Sequence, residues 1–290
     1  MEKIYPVKEA ETFSLGDYPT SGGSELSKDE LEIHLETLGK KLSKIQDVMY
    51  AHGRYGVLVV IQGMDTSGKD GLIREVFKHF NPRGTVVHSF KTPSAIELRH
   101  DYLWRHYLAL PERGKFSVFN RSHYENVLIT RVNPSFLLNE NLPYVLNPED
   151  ADETFWSGRM KQIRHFEKHI HTNGTLVFKF FLHISKDEQK KRLLARLNDK
   201  DKHWKFAESD LLARKQWDAY QDCYARAIAA TSTKEAPWFI IPADSKTEAR
   251  CMVAQILLEE LKKCEDIKEP QVSAENLSRF DEFRAILKKS

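Results

Sequence analysis

Hydrophobic and polar residues follow each other along the chain in blocks that predict strands and helices in turn. Apolar runs rich in β-branched and aromatic residues predict five strands, and residues with helical spacing fill the segments between them. These runs cover residues 57–62, 85–90, 116–120, 175–184 and 238–242. Strands that alternate with helices form a parallel sheet with helices on both faces, so the pattern predicts an α/β fold. Ligands bind such sheets at the carboxyl ends of the strands.

The segments that flank this sheet have simpler patterns. Residues 1–26 are predicted to be irregular, and Ser27 with Glu30 forms a capping box that begins a helix. In that helix, apolar residues recur at alternating steps of four and three, at Leu31, Leu35, Leu38, Leu42, Ile45 and Met49. This period fits either a coiled-coil seam between subunits or packing on the chain's own core. Residues 273–289 predict a final amphipathic helix. We therefore divide the chain into an N-terminal extension with an amphipathic helix (1–50), a central domain (51–265) and a C-terminal helix (266–290).

Composition is typical of a globular protein of the cytoplasm. The chain has 290 residues, of which 41% are hydrophobic and 30% charged. Its longest apolar stretch falls well short of the roughly 20 residues that span a membrane, and its N-terminus lacks the apolar core of a signal peptide. The three cysteines (Cys223, Cys251 and Cys264) lack metal-type spacing, as expected in a reducing compartment. We therefore expect a cytoplasmic protein with no membrane partner.

The stretch from Val57 to Asp70, VLVVIQGMDTSGKD, carries the strongest chemical signal. It places G-x-x-x-x-G-K between a predicted strand and a helix over residues 70–80, which is the context that a phosphate-binding loop requires. In such a loop, backbone N–H groups and the helix N-terminus cradle phosphate oxygens, and the lysine adds a positive charge. The alternative is a glycine turn that packs a helix on the sheet without a ligand. The predicted phosphate-binding residues are Gly63, Thr66, Ser67, Gly68, Lys69, Asp70 and, further along the helix, Arg74.

Carboxylates near this loop predict a divalent metal ion. Asp70 replaces the usual Ser or Thr after the lysine, and Asp65 lies inside the loop. Two carboxylates beside a bound polyanion would repel it unless a cation lay between them, so we expect Asp65 to bind Mg²⁺, with Mn²⁺ as the alternative ion. A second polar cluster follows the strand over residues 116–120. There Asn120 can hold a metal-bound water, and Glu125, one turn further on, can supply the missing carboxylate.

Arginines in two places suit a transferring phosphoryl group. Arg121 is placed to neutralise its charge, although Arg121 and Glu125 could instead form a surface ion pair at a helix start. Residues 186–215 carry ten Lys/Arg against six Asp/Glu, and they predict a helical pair joined near residues 198–204. Such a pair could close over phosphates as a lid, with Arg192 and Arg196 one turn apart as a phosphate clamp. A solvated charged helix is the alternative.

Five segments, in this order, resemble the polyphosphate kinase 2 family. They are GMDTSGKDG, NPRGTVVHSFKTPSAIELRHDYLWR, FNRSHYENVL, DEQKKRLLARL and APWFIIPADSK, and the resemblance covers residues 28–262. The Gly-Met-Asp of the loop and the Asn-Arg-Ser-His-Tyr-Glu after the third strand are similar to the class III branch. The resemblance implies a thymidylate-kinase-like P-loop fold: a five-stranded parallel sheet with helices on both faces and a helical lid. It also implies Mg²⁺-dependent transfer of phosphoryl groups between inorganic polyphosphate and nucleotides.

The resemblance further implies roles for single residues. Lys69 matches the loop lysine and Asp65 the acid that holds magnesium. Arg121 and Arg131 match arginines that contact the phosphate chain, and either Arg192 or Arg196 matches the lid arginine. Two positions depart from the common family pattern: Asn120 stands where many members have Asp, although it fits class III, and Thr247 stands where an aromatic residue is common. The implied catalytic set is Asp65, Lys69, Arg121, Arg131 and Arg192, and the implied metal site is Asp65, Asn120 and Glu125.

Several expectations about substrates and partners complete this interpretation. Class III members are associated with phosphorylating both AMP and ADP, so we expect reversible conversion of AMP to ADP and of ADP to ATP, with guanine nucleotides as further acceptors. We also expect a homo-oligomer, a dimer or a tetramer, and no nucleic-acid partner. Four basic residues after the second strand could extend a basic track, although each is more typical of a surface charge: Arg83, Lys91, Arg99 and Arg105. Two alternatives are an ATP-dependent kinase of nucleoside monophosphates and a non-catalytic nucleotide-binding protein.

Overall fold

The long apolar runs form strands that all lie in one parallel sheet. The computed structural model describes residues 4, 6–7 and 13–289, except the side chains of residues 202, 204 and 205. Within this part of the chain the sheet has five strands, in the order β2-β3-β1-β4-β5. The strands are β1 (Gly56–Gly63), β2 (Thr85–Ser89), β3 (Phe116–Asn120), β4 (Thr175–His183) and β5 (Trp238–Pro242). The predicted α/β fold and its five parallel strands are confirmed.

Helices connect the strands and cover both faces of the sheet. The α-helices are α1 (Lys28–His52), α2 (Lys69–Val76), α3 (Trp104–Leu108), α4 (Ile129–Val132), α5 (Glu153–Thr172), α6 (Lys186–Asn198), α7 (Glu208–Lys215), α8 (Trp217–Thr231), α9 (Lys246–Lys262), α10 (Ala274–Ser278) and α11 (Phe280–Lys289). Short 3₁₀ turns lie at Leu15–Asp17, Pro82–Gly84, Glu97–Arg99, His123–Val127, Pro134–Glu140, Pro148–Asp150 and Lys200–Lys205. Helices α1, α2 and α9 pack together, and α5 packs against α8 and β4.

The strand order determines which polar residues meet. Because β1 lies between β3 and β4, Ile61 near the end of β1 pairs with Asn120 at the end of β3 and with Phe180 of β4. Every residue of β1 is buried, as expected of a central strand covered on both faces. The loop after β1 therefore lies directly beside the polar residues that follow β3.

Helix α1 packs on the chain's own core. Its capping box is present, because Ser27 accepts from the N–H of Glu30 and the Glu30 carboxylate accepts from the N–H of Ser27. Five of the six predicted apolar positions are buried and Ile45 is half-buried; the buried five are Leu31, Leu35, Leu38, Leu42 and Met49. Their partner is mainly α9. Between the two packing modes that the sequence left open, the structure shows packing within the chain.

Two predicted helices differ from the observed ones. The helix after the loop ends at Val76, short of residue 80, because Phe80 turns inward and packs edge-on against Phe77 at 5.0 Å and Phe116 at 5.1 Å between ring centroids. The final helix is two shorter ones, α10 and α11, and both are largely exposed.

The remaining predictions concern the N-terminal segment, the lid and the division of the chain. Part of the predicted irregular segment, residues 1–3, 5 and 8–12, lies outside the described residues. The predicted helical pair of the lid corresponds to α6 and α7, joined by the 3₁₀ turn Lys200–Lys205. The division of the chain into an extension, a central domain and a C-terminal helix stays a prediction. None of the helices in the described ranges has the length and apolar character needed to cross a membrane.

Candidate active site

The loop after β1 has a backbone that only certain residues tolerate. Gly63 has φ 154°, and a Cβ there would lie 2.9 Å from the backbone oxygen of Leu182. Gly68 has φ 107° at the position before α2. Thr66 has φ 67° although it is not a glycine, which is an unfavourable conformation for a β-branched residue. The loop therefore has a specific shape, which glycine permits at two positions and which surrounding contacts impose on Thr66.

Buried hydroxyl groups in this loop suit phosphate oxygens. Thr66 Oγ1 and Ser67 Oγ are buried, and neither has a hydrogen-bond partner among the described residues. A buried hydroxyl without a partner costs about 1–3 kcal/mol, so a ligand oxygen there would restore the lost hydrogen bonds. Helix α2 also begins without a side-chain cap, since its N-cap residue is Gly68. Its first N–H groups are thus directed at the loop, as in an anion-binding site.

Lys69 places a buried positive charge within the loop. Its side chain is 8% exposed, and Nζ donates to the backbone oxygens of Gly63 at 2.7 Å and Met64 at 3.2 Å. Burial and, less strongly, Arg121 lower the pKa of Lys69, and nearby carboxylates oppose them, so that its net pKa is about 8. An anion bound in the loop would raise this pKa and stabilise the ammonium form.

The residues after β3 reach the loop from the neighbouring strand. The N–H of Arg121 donates to the backbone oxygen of Ile61 at 3.2 Å, and Arg121 has φ 63°, in the left-handed region. Its Nη2 lies 2.9 Å from Asp65 Oδ1, with side-chain exposures of 41% and 27%. Asn120 Nδ2 donates to Asp70 Oδ1 at 2.7 Å. Arg121 therefore makes its ion pair across the loop with Asp65, where the alternative interpretation placed Glu125.

Three carboxylates surround the two cations of this site. Asp65, Asp70 and Glu125 all raise the pKa of Lys69, and the same three raise that of Arg121. For Arg121, burial lowers the pKa, but Glu125 and Asp65 outweigh it and the net pKa is raised. The three carboxylates thus favour the charged forms of both Lys69 and Arg121.

The oxygen donors of this site fit a magnesium ion that is shared with substrate. No group of three His, Cys, Asp or Glu side chains in the described ranges could hold a metal ion alone. Mg²⁺ is usually bound by one or two carboxylates together with substrate phosphates and water. Asp65 lies within the loop and Asn120 beside it, so the donor chemistry matches that mode of binding.

Arg192 has partners other than those of the predicted phosphate clamp. Its guanidinium is buried, and all five N–H donors are engaged. Nη1 donates to the backbone oxygens of Thr66 and Ser67, both at 3.0 Å. The other three donors bind Ala243 O at 2.7 Å, Asp244 O at 2.9 Å and Glu188 Oε1 at 2.8 Å. Arg196 instead lies 3.4 Å from Asp210. The helical spacing predicted that these two arginines act together on phosphate. In the structure Arg192 contacts the loop, whereas Arg196, one turn further along α6, contacts α7.

Two other predicted phosphate ligands lie outside this cluster. Arg131 Nη2 binds both carboxylate oxygens of Glu153, at 2.6 and 2.8 Å, and its guanidinium lies 5.6 Å from the Trp156 ring centroid. Arg74 is exposed on α2 and lies 2.7 Å from Glu75. A phosphate contact by either arginine would compete with its carboxylate partner, and these roles stay predictions.

Several site residues were missed by the sequence reasoning. Gln189 of α6 donates to the backbone oxygen of Asp65 at 3.2 Å. Tyr220 and Tyr224 lie on α8. Burial, together with the carboxylates of Glu125 and Asp65, raises the pKa of Tyr220 to about 12 and that of Tyr224 well above its ordinary value. Their i, i+4 spacing shows only that they share a helix face, so the sequence offered no signal that this face lies at the site.

A cleft opens on the β2–β3 side of Arg121. This side cleft has a volume of about 190 Å³ and is lined among others by Phe90, Arg105, Arg121, Glu125, Ile129 and Phe136. A neighbouring cavity of about 610 Å³ shares wall residues with it, including Tyr102 and Glu140. Mixed apolar and polar walls next to a cluster of charged side chains are typical of a small-molecule site.

A glycine loop at the carboxyl end of a central parallel strand, with a buried lysine and facing carboxylates, defines a P-loop phosphotransferase. The family model for polyphosphate kinase 2 (PPK2) matches residues 25–269. The chain belongs to the polyphosphate kinase 2 family, and it is accordingly a polyphosphate-dependent phosphotransferase that acts on nucleotides.

Relatives and a solved structure support this membership along most of the chain. The ADP-polyphosphate phosphotransferase of Rhodopseudomonas palustris is 47% identical over 258 residues, covering 89% of this chain and 88% of that protein. The AMP/ADP-polyphosphate phosphotransferase of Meiothermus ruber is 44% identical over 240 residues, covering 83% of each chain. The crystal structure of polyphosphate kinase 2 from Arthrobacter aurescens TC1 superposes with a TM-score of 0.86 at 34% identity, covering 99% of this chain and 96% of that one.

Proposed function

We propose that this protein transfers phosphoryl groups from inorganic polyphosphate to both ADP and AMP, reversibly and with Mg²⁺. The observation that carries the proposal is the loop itself. It holds the Lys69 ammonium and two buried hydroxyls that have no partner among the described residues, and Arg121 pairs with its carboxylate Asp65. The names of the relatives support the acceptors, since one names ADP and the other names AMP and ADP.

The reaction requires no base from the protein, because the attacking group is already anionic. A terminal phosphate oxygen of the nucleotide attacks the end phosphorus of polyphosphate, and the P–O–P bond to the next unit breaks. The nucleotide gains one phosphate, and the chain leaves one phosphate shorter. Catalysis of such a transfer comes mainly from positioning and from neutralising charge.

Residues of the loop and of the turn after β3 supply that positioning and neutralisation. Lys69 is fixed by two backbone oxygens and places its charge where the transferred group would lie. Arg121 approaches from β3 and is held in a strained conformation that directs it at the loop. Asp65 would hold Mg²⁺, with Asn120 and Glu125 close by, and the ion would neutralise charge on the phosphate oxygens.

The side cleft is the proposed place for the acceptor nucleoside. It borders Arg121 and Glu125, so a nucleotide bound there would present its phosphates to the loop. With the neighbouring cavity, its volume falls within the range of small-ligand sites. Asn120 leaves the end of β3 without a fixed negative charge, which favours acceptors that differ in phosphate number.

Nucleotide chromatography tests the acceptor assignment directly. Purified protein is incubated with long-chain polyphosphate and Mg²⁺, with either AMP or ADP and without ATP. We expect ADP to give ATP, and AMP to give ADP first and ATP later. Conversion of ADP alone would overturn AMP as an acceptor and the class III assignment, while the family would stand. Loss of activity in EDTA that Mg²⁺ or Mn²⁺ restores is expected in the same assay.

The predicted homo-oligomer and the cytoplasmic location remain further proposals. They rest on the family resemblance and on composition respectively. Light scattering coupled to size-exclusion chromatography would test the first, with a mass of two or four chains of 33.7 kDa as the expected result and a monomer as the contrary one.

A further inference from the structure

The two sides of the loop differ in charge, which separates the places suited to the two substrates. The side cleft lies toward β2 and β3, and its walls include four carboxylates: Glu97, Asp101, Glu125 and Glu140. Such walls disfavour a long polyanion even though Lys91, Arg105 and Arg121 lie among them. Helix α9 contacts β4 and β5, which lie on the opposite side of β1 from β2 and β3.

On that opposite side, basic side chains of α9 lie against the loop and α2. A Cβ at Gly68 would lie 4.0 Å from Lys246 Cγ, so the Lys246 stem runs past the last loop residue. A Cβ at Gly71 would lie 3.2 Å from Arg250 Nη2, so the guanidinium rests on the backbone of α2. Lys246 and Arg250 are one turn apart on α9, about 6 Å along its axis.

The glycine at position 71 makes room for this guanidinium. Any side chain there would meet Arg250 at less than ordinary van der Waals distance. Glycine within a helix is less favourable than alanine, so the residue is explained by the close approach that it permits.

Other charged groups around Arg250 are partly balanced. Burial lowers the pKa of Arg250 and nearby Arg74 lowers it further, while Glu75 and Glu32 oppose the shift. Glu75 also pairs with Arg74 at 2.7 Å. Lys246, Arg250 and nearby Arg74 outnumber these two carboxylates, so they form a locally cationic surface beside the loop.

Building on the proposed function, we propose that Lys246 and Arg250 form a donor track, which binds the polyphosphate units that follow the reacting end of the chain. With the reacting phosphate in the loop at Lys69, the next units would pass Gly68 and then lie along α2 and α9. Polyphosphate offers no base or sugar, so lysine and arginine side chains provide its recognition beyond the loop.

Steady-state kinetics with donors of different length test this assignment. The variants are Lys246→Gln, Arg250→Gln and Arg250→Lys, with Lys262→Gln as the matched control. Lys262 is an exposed lysine on the same helix, about 24 Å from Lys246 along its axis. We expect each Gln variant to raise KM for long-chain polyphosphate about threefold to tenfold, with kcat and KM for ADP unchanged. Arg250→Lys keeps the charge and should retain most of the affinity, and Lys262→Gln should behave as the unmodified protein.

Chain length and salt provide a second readout. With a donor of only three or four phosphates, the Gln variants should match the unmodified protein, because short chains end before the track. For long chains, the slope of log affinity against log salt concentration, measured by calorimetry, should decrease by about one per removed charge. Unchanged KM and salt slope for long chains, or an equal loss with short donors, would overturn the donor track.

The test also separates this inference from the proposed function. If the unmodified protein transfers no phosphate from polyphosphate, the proposed function is wrong. If it does, and the Lys246 and Arg250 variants match the Lys262 control, only the donor track is wrong. Equal thermal melting of all variants would show that a change in KM does not come from partial unfolding.

Discussion

Thr66 and Arg121 have φ angles of 67° and 63°, although neither is a glycine. Such conformations cost of order 1–3 kcal/mol and persist only where surrounding contacts impose them. Next to Arg121, Ser122 Oγ accepts from Gln62 Nε2 at 3.1 Å and from the N–H of Tyr124 at 3.2 Å. Thr66 lies within the loop and Arg121 contacts it through Asp65, so both unfavourable conformations occur at the candidate site.

The first prediction concerns the charge of Lys69 and the pH dependence of activity. Because burial lowers its pKa to about 8, the lysine of the unbound protein loses its charge as pH rises through that value. We expect kcat/KM, which reports the unbound protein, to fall above about pH 8. Lys69→Ala should lower the rate roughly 10³-fold and remove this fall. A pH profile that stays flat up to pH 10 would contradict the assigned role.

The same shift affects stability with the opposite sign. The folded pKa of Lys69 lies below its ordinary value of 10.5, so between about 8 and 10.5 the unfolded chain binds more protons. The contribution of this residue to the free energy of unfolding therefore rises with pH across that window. Denaturant titrations measure this effect. Between about pH 8 and 10.5, the free energy of unfolding of the unmodified protein should rise with pH relative to that of Lys69→Met.

Asp65→Asn is the second prediction. The substitution removes the carboxylate that pairs with Arg121 and would hold Mg²⁺, and its half-exposed position makes a large loss of stability unexpected. Turnover should fall to background at any Mg²⁺ concentration, while the thermal melting temperature changes little. An Asp65→Asn protein with a near-normal rate would show that this carboxylate is not the metal ligand.

Arg192 connects helix α6 to the phosphate-binding loop through hydrogen bonds, and the next prediction concerns this connection. We propose that Arg192 is a positioning residue, because its five donors hold backbone oxygens of the loop and of residues 243–244, and Glu188. Arg192→Lys keeps the charge but loses the planar fork, so it should lower kcat at least tenfold and destabilise the fold by about 2 kcal/mol or more.

Arg196→Lys serves as the comparison on the same helix. Its partner Asp210 accepts an ammonium as well as a guanidinium, so stability should change by less than about 1 kcal/mol. Near-normal kcat in Arg192→Lys would mean that only its charge matters and would favour the phosphate-clamp interpretation.

A buried ion network under the turn after β3 gives a further prediction. Glu167 of α5 accepts from Lys179 Nζ at 2.6 Å and from Tyr124 Oη at 2.8 Å, and it contacts His123 at 3.1 Å. Glu167→Gln leaves the Lys179 ammonium without its carboxylate, which should lower the free energy of unfolding by about 3–5 kcal/mol. Chemical denaturation measures this loss, and an unchanged midpoint would show that the network does not stabilise the turn.

The helices and strands were predicted well where a local sequence pattern determines them. They were predicted less well where packing between distant residues determines where an element ends. All five strands were found because buried parallel strands are continuous apolar runs. The end of α2 was missed because the inward turn of Phe80 depends on Phe116, a residue distant in sequence. In the site, the loop and the residues after β3 came from motifs, whereas the backbone partners of Arg192 and the place of Tyr224 required the fold.

In the whole molecule, the strand order places surfaces of different charge on the two sides of the phosphate-binding loop. The side cleft lies toward β2 and β3 and mixes apolar walls with carboxylates, while the proposed donor track lies toward β5 on α9. If the acceptor nucleoside binds in the side cleft and polyphosphate binds along the donor track, as we propose, both substrates can bind at the same time without competing for one surface.

Transfer of isotope from polyphosphate tests the central claim most directly. Polyphosphate labelled with ³²P is mixed with unlabelled ADP, Mg²⁺ and the purified protein, with no other phosphate donor, and the nucleotides are separated. We expect labelled ATP that carries its label in the terminal phosphate during the initial phase of the reaction, and polyphosphate shortened by the same number of units. The contrary result is that the nucleotides stay unlabelled although the same preparation phosphorylates AMP with ATP as the donor. That result would show an ATP-dependent kinase and would rule out transfer from polyphosphate.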